Sequence, residues 1–275
     1  MNWVKYVVAA VALYSLSLTA HAESIKLWRL NCGTIELSDM SPFSDTFDYA
    51  VKPRHVADSC YLISHNNTWM LWDTGLPLSD LGKDQSGTGI RPRLERPLVE
   101  QLAKLNVTPD MISLVALSHY HFDHAGQLSS FPKARLLIGA SDMAVIRSQK
   151  SDENLDRSQF THWLSGNAKV TEVEGDFDIF GDGKVVMLKT PGHTPGHHSL
   201  LVRLRDRNII LSGDLWHFAA SVPINGVPTF NTNRADTLAS QDRLNRIIHN
   251  LNAELIIGHE AADIEKLPKF PQAAE

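Results

Sequence analysis

Along the chain, apolar positions fall into short runs separated by polar and Gly/Pro-rich segments. Leu27–Cys32, Cys60–Ser64, Trp69–Trp72, Leu114–Leu117, Arg135–Ile138, Val185–Leu188, Leu200–Leu204, Ile209–Leu211 and Leu255–Ile257 read as strands. Two segments carry the helical period. Leu94–Leu105 places Leu94, Leu98, Leu102 and Leu105 together, and Ala235–Leu251 brings Leu238, Leu244, Ile247, Ile248 and Leu251 near one face. Pro191, Gly192, Pro195 and Gly196 predict a loop over residues 191–196. Strands alternating with helices predict an α/β class, with sheets covered by helices. The chain has no long repeat, low-complexity tract or linker-like stretch, so residues 23–275 read as one domain.

Residues 1–22 stand outside this pattern. Lys5 precedes an apolar run from Tyr6 to Ala20, and Ala20-His21-Ala22 offers a small-x-small cleavage site. This is the form of a secretory signal peptide, and the run is short for a bilayer span. Cleavage after Ala22 is expected, placing the protein in the periplasm or outside the cell with no stable membrane insertion afterwards. Composition changes the picture little: 43% of residues are hydrophobic and 21% charged, as in ordinary soluble proteins. The net charge of −5 argues against a nucleic-acid partner, because phosphate binding needs a basic surface. Cys32 and Cys60 sit in two early predicted strands. In an oxidising compartment, pairing of those strands would make a disulfide geometrically possible without assuring it, and two buried thiols are the alternative. No further Cys or nearby His completes a metal set with them.

The candidate chemistry follows the strands. Trp69–Trp72 runs into Asp73, Leu114–Leu117 into Ser118-His119, Val185–Leu188 into the loop with His193, Ile209–Leu211 into Ser212-Gly213-Asp214, and Leu255–Ile257 into Gly258-His259. Strand C-terminal ends are where α/β folds place their sites. The densest cluster is His119-Tyr120-His121-Phe122-Asp123-His124, an HxHxDH pattern. Alternation lets His119 and His121 point one way, while Asp123 and His124 reach a second position as the chain turns. Imidazole and carboxylate donors of this kind suit zinc, and two adjacent ions can clamp a water and polarise a carbonyl.

This pattern resembles the signature of the metallo-β-lactamase superfamily, and five motifs between about residues 60 and 260 follow that family's order. The resemblance implies the αβ/βα four-layer sandwich, two mixed sheets flanked by helices. It implies two zinc ions per chain, with other divalent ions also accommodated. His119, His121 and His193 would hold one ion, and Asp123, His124 and His259 the other. Asp214 would bridge both, and Asp73 in Trp-Asp-Thr-Gly would orient the site from behind. His121 occupies a position where the family's di-iron oxygen-reducing members carry an acid, which points to the hydrolases. In these, Asp123 also accepts a hydrogen bond from the attacking water.

Within the family, the Trp-Asp-Thr-Gly-Leu-Pro, Ser-His-Tyr-His-Phe-Asp-His-Ala-Gly and Thr-Pro-Gly-His-Thr-Pro-Gly-His-His-Ser-Leu runs are similar to N-acyl-homoserine lactonases. The expected substrate is a small ester or lactone, and a homodimer is compatible with it. Asp214 disfavours the β-lactamases, which lack the bridging acid; a thioesterase or other ester hydrolase and a metal protein without turnover are the alternatives weighed. One position departs from the lactonases, where a Tyr follows the bridging Asp by three residues. Here it is His217, a group able to donate a hydrogen bond and carry a proton. His197 and His198 read as outside the metal set, His197 as a support of its loop, and His55, His65, His162 and His249 as surface or structural. Phe43, Phe47, Phe160, Trp163, Trp216 and Phe218 are candidates for an apolar substrate pocket, with Trp216 and Phe218 favoured by their closeness to Asp214.

Overall fold

A computed structural model describes residues 25–148 and 152–275. The expected signal peptide lies outside the described residues. Twelve strands and six α-helices alternate among the described residues. Seven strands form one sheet in the order β4 (Ile90–Arg93), β1 (Ile25–Leu37), β2 (Arg54–His65), β3 (Thr68–Trp72), β5 (Ile112–Ala116), β6 (Arg135–Gly139), β7 (Val170–Val173). Five form the other: β12 (Ala253–Ile256), β11 (Asn208–Leu211), β10 (His198–Arg203), β9 (Val185–Lys189), β8 (Phe177–Asp178). Both sheets are mixed. β3, β5, β6 and β7 run parallel, as do β11 and β12, and the remaining neighbours are antiparallel.

The strands are apolar at consecutive positions because both faces of each sheet are covered. In β2, Tyr61 and Ile63 face the other sheet, while Cys60 and Leu62 face the helical side. In β10, Leu200 and Val202 join the core between the sheets and Leu201 joins the layer beneath α5 (Arg234–Leu251). Helices α1 (Leu98–Ala103), α2 (Phe122–Ala125), α3 (Ala140–Arg147) and α4 (Thr161–Leu164) contribute to the outer side of the large sheet. A last short helix, α6 (Ala261–Ile264), follows β12. The result is the αβ/βα four-layer arrangement. No helix among the described residues is long and apolar enough to cross a membrane.

Local chemistry sets the boundaries. Asn233 caps α5 by accepting the Asp236 N–H, and Asn252 ends it in the left-handed conformation. The helical period from Leu94 is realised only from Leu98, because Pro97 occupies the N-cap in extended geometry and Leu94 is tied instead to Asp80 and Leu81. Cys32 and Cys60 are bridged, with Cα atoms 5.8 Å apart. Their strands pair as the bridge requires, with Cys32 at the register shift of β1.

Candidate metal centre

The five strand ends converge on one buried spot. The loop after β5 carries His119 and His121, and α2 carries Asp123 and His124. Its close neighbour is the turn after β3. Thr74 N donates to the His124 carbonyl at 2.6 Å and Gly126 N to the Gly75 carbonyl at 2.8 Å. A Cβ on Gly126 would come 2.3 Å from Pro77 N, so only glycine lets the two loops pack this closely. The loops after β9, β11 and β12 deliver His193, Asp214 and His259.

The side chains gather into two sets whose donor atoms each lie within 4.8 Å of one another: His119, His121, His193 and Asp214, and Asp123, His124 and His259. Asp214 reaches both. Its Oδ2 lies 3.3 Å from His193 Nε2 and 3.8 Å from His119 Nε2. Its Oδ1 lies 3.2 Å from both His124 Nε2 and His259 Nε2. Asp123 Oδ2 faces His259 and His124 at 3.7 and 3.9 Å. His121 turns Nδ1 inward, 3.1 Å from His193 Nε2.

The rear nitrogens are tied to oxygen acceptors, which leaves the inward nitrogens with their lone pairs. His124 Nδ1 donates to Asp73 Oδ2 at 3.0 Å, His193 Nδ1 to Asn231 Oδ1 at 2.9 Å and His259 Nδ1 to the Ala57 carbonyl at 2.8 Å. His119 Nδ1 lies 3.0 Å from the Ser118 hydroxyl, which donates in turn to Asp73 Oδ2. Among the described residues, His119 Nε2, His124 Nε2 and Asp214 Oδ1 are buried with no hydrogen-bond partner. Buried polar atoms of this kind are expensive unless something satisfies them. The imidazole and carboxylate set fits divalent metal ions in both groups.

Asp73 holds a left-handed backbone, φ +58°, fixed by the Ser118 N–H and hydroxyl on its two carboxylate oxygens at 2.7 and 2.9 Å. In the metal-free chain, burial holds His119 and His121 neutral. Burial alone would raise the Asp214 carboxyl, but His124 and His259 outweigh it and hold Asp214 well below the carboxylate range. Burial likewise lowers His217, whose Nε2 sits 3.1 Å from Asp214 Oδ2.

A cavity of about 310 Å³ opens beside the two sets. Its apolar wall includes Ile35, Leu37, Phe43, Val56, Phe218 and Phe230. Phe43 touches His217, Phe218 and Phe230, each at 5.1 Å between ring centres. Of the expected pocket residues, Phe43 and Phe218 are therefore placed on the wall, and four are corrected. Trp216 packs with Leu215, Ile210 and Leu244 beneath α5, because the turn that delivers Asp214 ends against that helix. Phe160 and Trp163 fill the core behind the large sheet. Phe47 is 92% exposed on a loop outside the cavity lining.

His197 and His198 are buried and bonded to the backbone, outside both sets. His55 and His249 are exposed, His162 is half-buried beside Trp163, and His65 pairs with Asp182 at 2.7 Å. Sequence reasoning missed Ser118, Asn231 and the Ala57 carbonyl, which hold the rear nitrogens. It also missed Asp58, a buried acid whose pKa burial and Asp123 push up. Asp58 is one of several polar residues in β2, and nothing in the sequence sets it apart.

Comparison with known proteins agrees with this arrangement. The Metallo-beta-lactamase superfamily profile matches residues 55–259. An N-acyl homoserine lactonase AttM of Rhizobium radiobacter is 29% identical over 182 residues, covering 62% of this chain and 68% of that protein. An N-acyl homoserine lactonase of Bacillus sp. is 27% identical over 226 residues, covering 78% and 85%. An N-acyl homoserine lactone hydrolase solved with the product N-hexanoyl-L-homoserine at its catalytic metal centre superposes with a TM-score of 0.77 at 23% identity, over 92% of this chain and 99% of that one. With the fold, the two donor sets and the profile in agreement, this chain belongs to the metallo-beta-lactamase superfamily of hydrolases.

Proposed function

We propose that this chain is a secreted, two-zinc hydrolase that opens the lactone ring of N-acyl-homoserine lactones. The observation that carries the reading is Asp214, with one carboxylate oxygen toward each donor set, at the floor of an apolar cavity. His119, His121 and His193 would hold one zinc ion, Asp123, His124 and His259 the other, and Asp214 both. Bound there, zinc supplies a water activated near neutral pH and a Lewis acid for the ester carbonyl.

The chain's own residues do the rest. Asp123 accepts the proton from the attacking water as the new C–O bond forms. The ester C–O bond then breaks, and Asp123 returns the proton to the leaving ring oxygen. His217, kept neutral by burial, directs Nε2 at the centre and donates its N–H to the developing oxyanion, the place of the lactonase Tyr. Phe43, Phe218 and the β1–β2 wall take the acyl chain and exclude water. Among the described residues, no Lys or Arg lines this cavity. That suits an uncharged lactone better than a β-lactam, whose carboxylate needs a cationic partner.

The Cys32–Cys60 bridge and the apolar run Tyr6–Ala20 support export, and the N-terminal sequence of the purified mature protein tests it. Activity is tested by acid release from a panel: short- and long-chain acyl-homoserine lactones, a simple γ-lactone, a β-lactam and a thioester. Rapid opening of the acyl-homoserine lactones alone is expected. Silence on every lactone, with turnover of another member, overturns the lactonase reading.

A further inference from the structure

The chain repeats Pro-Gly-His at residues 191–193 and 195–197. The first repeat supplies His193 to the centre, and the second remains unused. His197 is completely buried and belongs to neither donor set. Its Nε2 accepts the backbone N–H of Asp214 at 2.9 Å. Nδ1 must then carry the proton, and it donates to the Thr190 carbonyl at 3.0 Å.

Other buried groups hold the ring in place. The Thr190 hydroxyl lies 3.0 Å from both His197 Nδ1 and the Ser199 hydroxyl, and Ser199 donates to the Ser212 carbonyl at 2.8 Å. The ends of β9 and β11 and the start of β10 are thereby joined through one imidazole. Gly213 records how close the ring sits: a Cβ there would come 2.6 Å from His197 Nε2, and the residue holds φ +56°. Glycine serves the turn and the contact together.

We propose that His197 is the positioning residue of Asp214: by accepting its backbone N–H, it aims one carboxylate oxygen at each donor set. The proposal rests on the two-metal reading above. The Asp214 N–H is buried, and without His197 it has no acceptor to fix the turn Gly213–Leu215. The carboxylate would then swing off the axis between the two sets. Loss of the group that orients a ligand typically weakens metal binding roughly 10- to 100-fold.

The test is zinc stoichiometry and affinity on the mature protein, stripped of metal and titrated back, with folding followed by circular dichroism. The wild type is expected to bind two zinc ions. His197→Phe keeps a buried ring but has no acceptor, and should lose the second ion or bind it at least tenfold more weakly. His197→Gln offers an oxygen to Asp214 and an amide N–H to Thr190, and should restore two-ion binding. Thr190→Val leaves Asp214 and His197 in place but loosens the ring, and should weaken the second ion several-fold. It carries the test if His197→Phe does not fold, and unchanged affinity there overturns the proposal. A folded His197→Phe with wild-type stoichiometry and affinity also overturns it. A wild type that binds fewer than two ions overturns the metal reading itself, and this proposal with it.

Discussion

The two halves of the candidate site are built differently. In the metal centre, rear nitrogens are anchored to Asp73, Asn231, the Ser118 hydroxyl and the Ala57 carbonyl. The cavity wall is held by packing alone and frays toward solvent, with Ile90 61% and Phe230 45% exposed. Hydrogen bonds have fixed geometry, and a shift of an ångström at a metal ligand is felt at once. Apolar contacts are individually weak and tolerate exchange of residues of similar volume. A fold built this way can keep one chemistry and vary what it admits.

The sharpest break of this contrast is Asp214→Ala. It removes the group shared by both sets and leaves surrounding imidazoles facing each other. Hydrolysis should fall by at least roughly a thousandfold, the scale of losing an aimed charge in an active site. Bound metal, measured by mass spectrometry of the intact protein, should drop below two ions per chain. Full activity in this variant ends the dinuclear mechanism.

Asp73→Asn asks whether anchoring matters apart from the donors themselves. Asn tolerates the left-handed backbone at this position, so the fold should survive. Its amide N–H₂ cannot accept from both Ser118 and His124 as the carboxylate does. Zinc affinity should fall by about 10- to 100-fold with little change in unfolding midpoint. An unchanged affinity would mean the rear hydrogen bonds are ornamental.

The same contrast explains what was legible in the sequence. The candidate donors sit two to seven residues beyond apolar runs, in short motifs that resemble the superfamily's, so all seven could be named before the fold was known. The major strands were legible as the apolar runs themselves. β4 was not, because Ile-Arg-Pro-Arg carries one aliphatic residue and a proline at a sheet edge. β8 is two residues long and leaves no period to detect. The cavity wall was mostly hidden. Ile35 and Val56 look like any strand residue, and only the pairing of β1 with β2 brings them together at Ile35↔Val56. Nearness to Asp214 in sequence does not fix placement: Phe218 lies on the cavity wall and Trp216 beneath α5, because neighbours on a turn enter different cores.

The wall itself is tested by Val56→Phe, which adds bulk to the cavity without touching a donor. On the lactonase reading, hydrolysis of long-chain acyl-homoserine lactones should fall about tenfold or more in kcat/KM, the size of a small misfit in an apolar pocket. A simple γ-lactone, which has no chain to place, should be affected less than about threefold. Equal losses on both would show that the β1–β2 wall does not hold the chain.

The smallest effect concerns the boundary between the regions, where loop 191–196 carries His193. Asp142 of α3 accepts the Thr194 hydroxyl at 2.8 Å and the Gly196 N–H at 2.6 Å. Burial pushes its pKa up to about 7 from 3.8, against those two bonds. Its contribution to stability is therefore complete below the unfolded value near 3.8 and is lost as pH rises through about 7. The slope cannot exceed about 1.4 kcal/mol per pH unit for one proton. Asp142→Asn keeps an acceptor for Gly196 and lets Thr194 reverse its bond, but it cannot ionise. Urea unfolding of the metal-free proteins should show the two chains nearest in stability at acid pH, with the Asn variant gaining on the wild type up to about pH 7 and the gap constant above it. A difference independent of pH would mean that folding leaves the Asp142 pKa unshifted, with the hydrogen bonds to the loop offsetting burial.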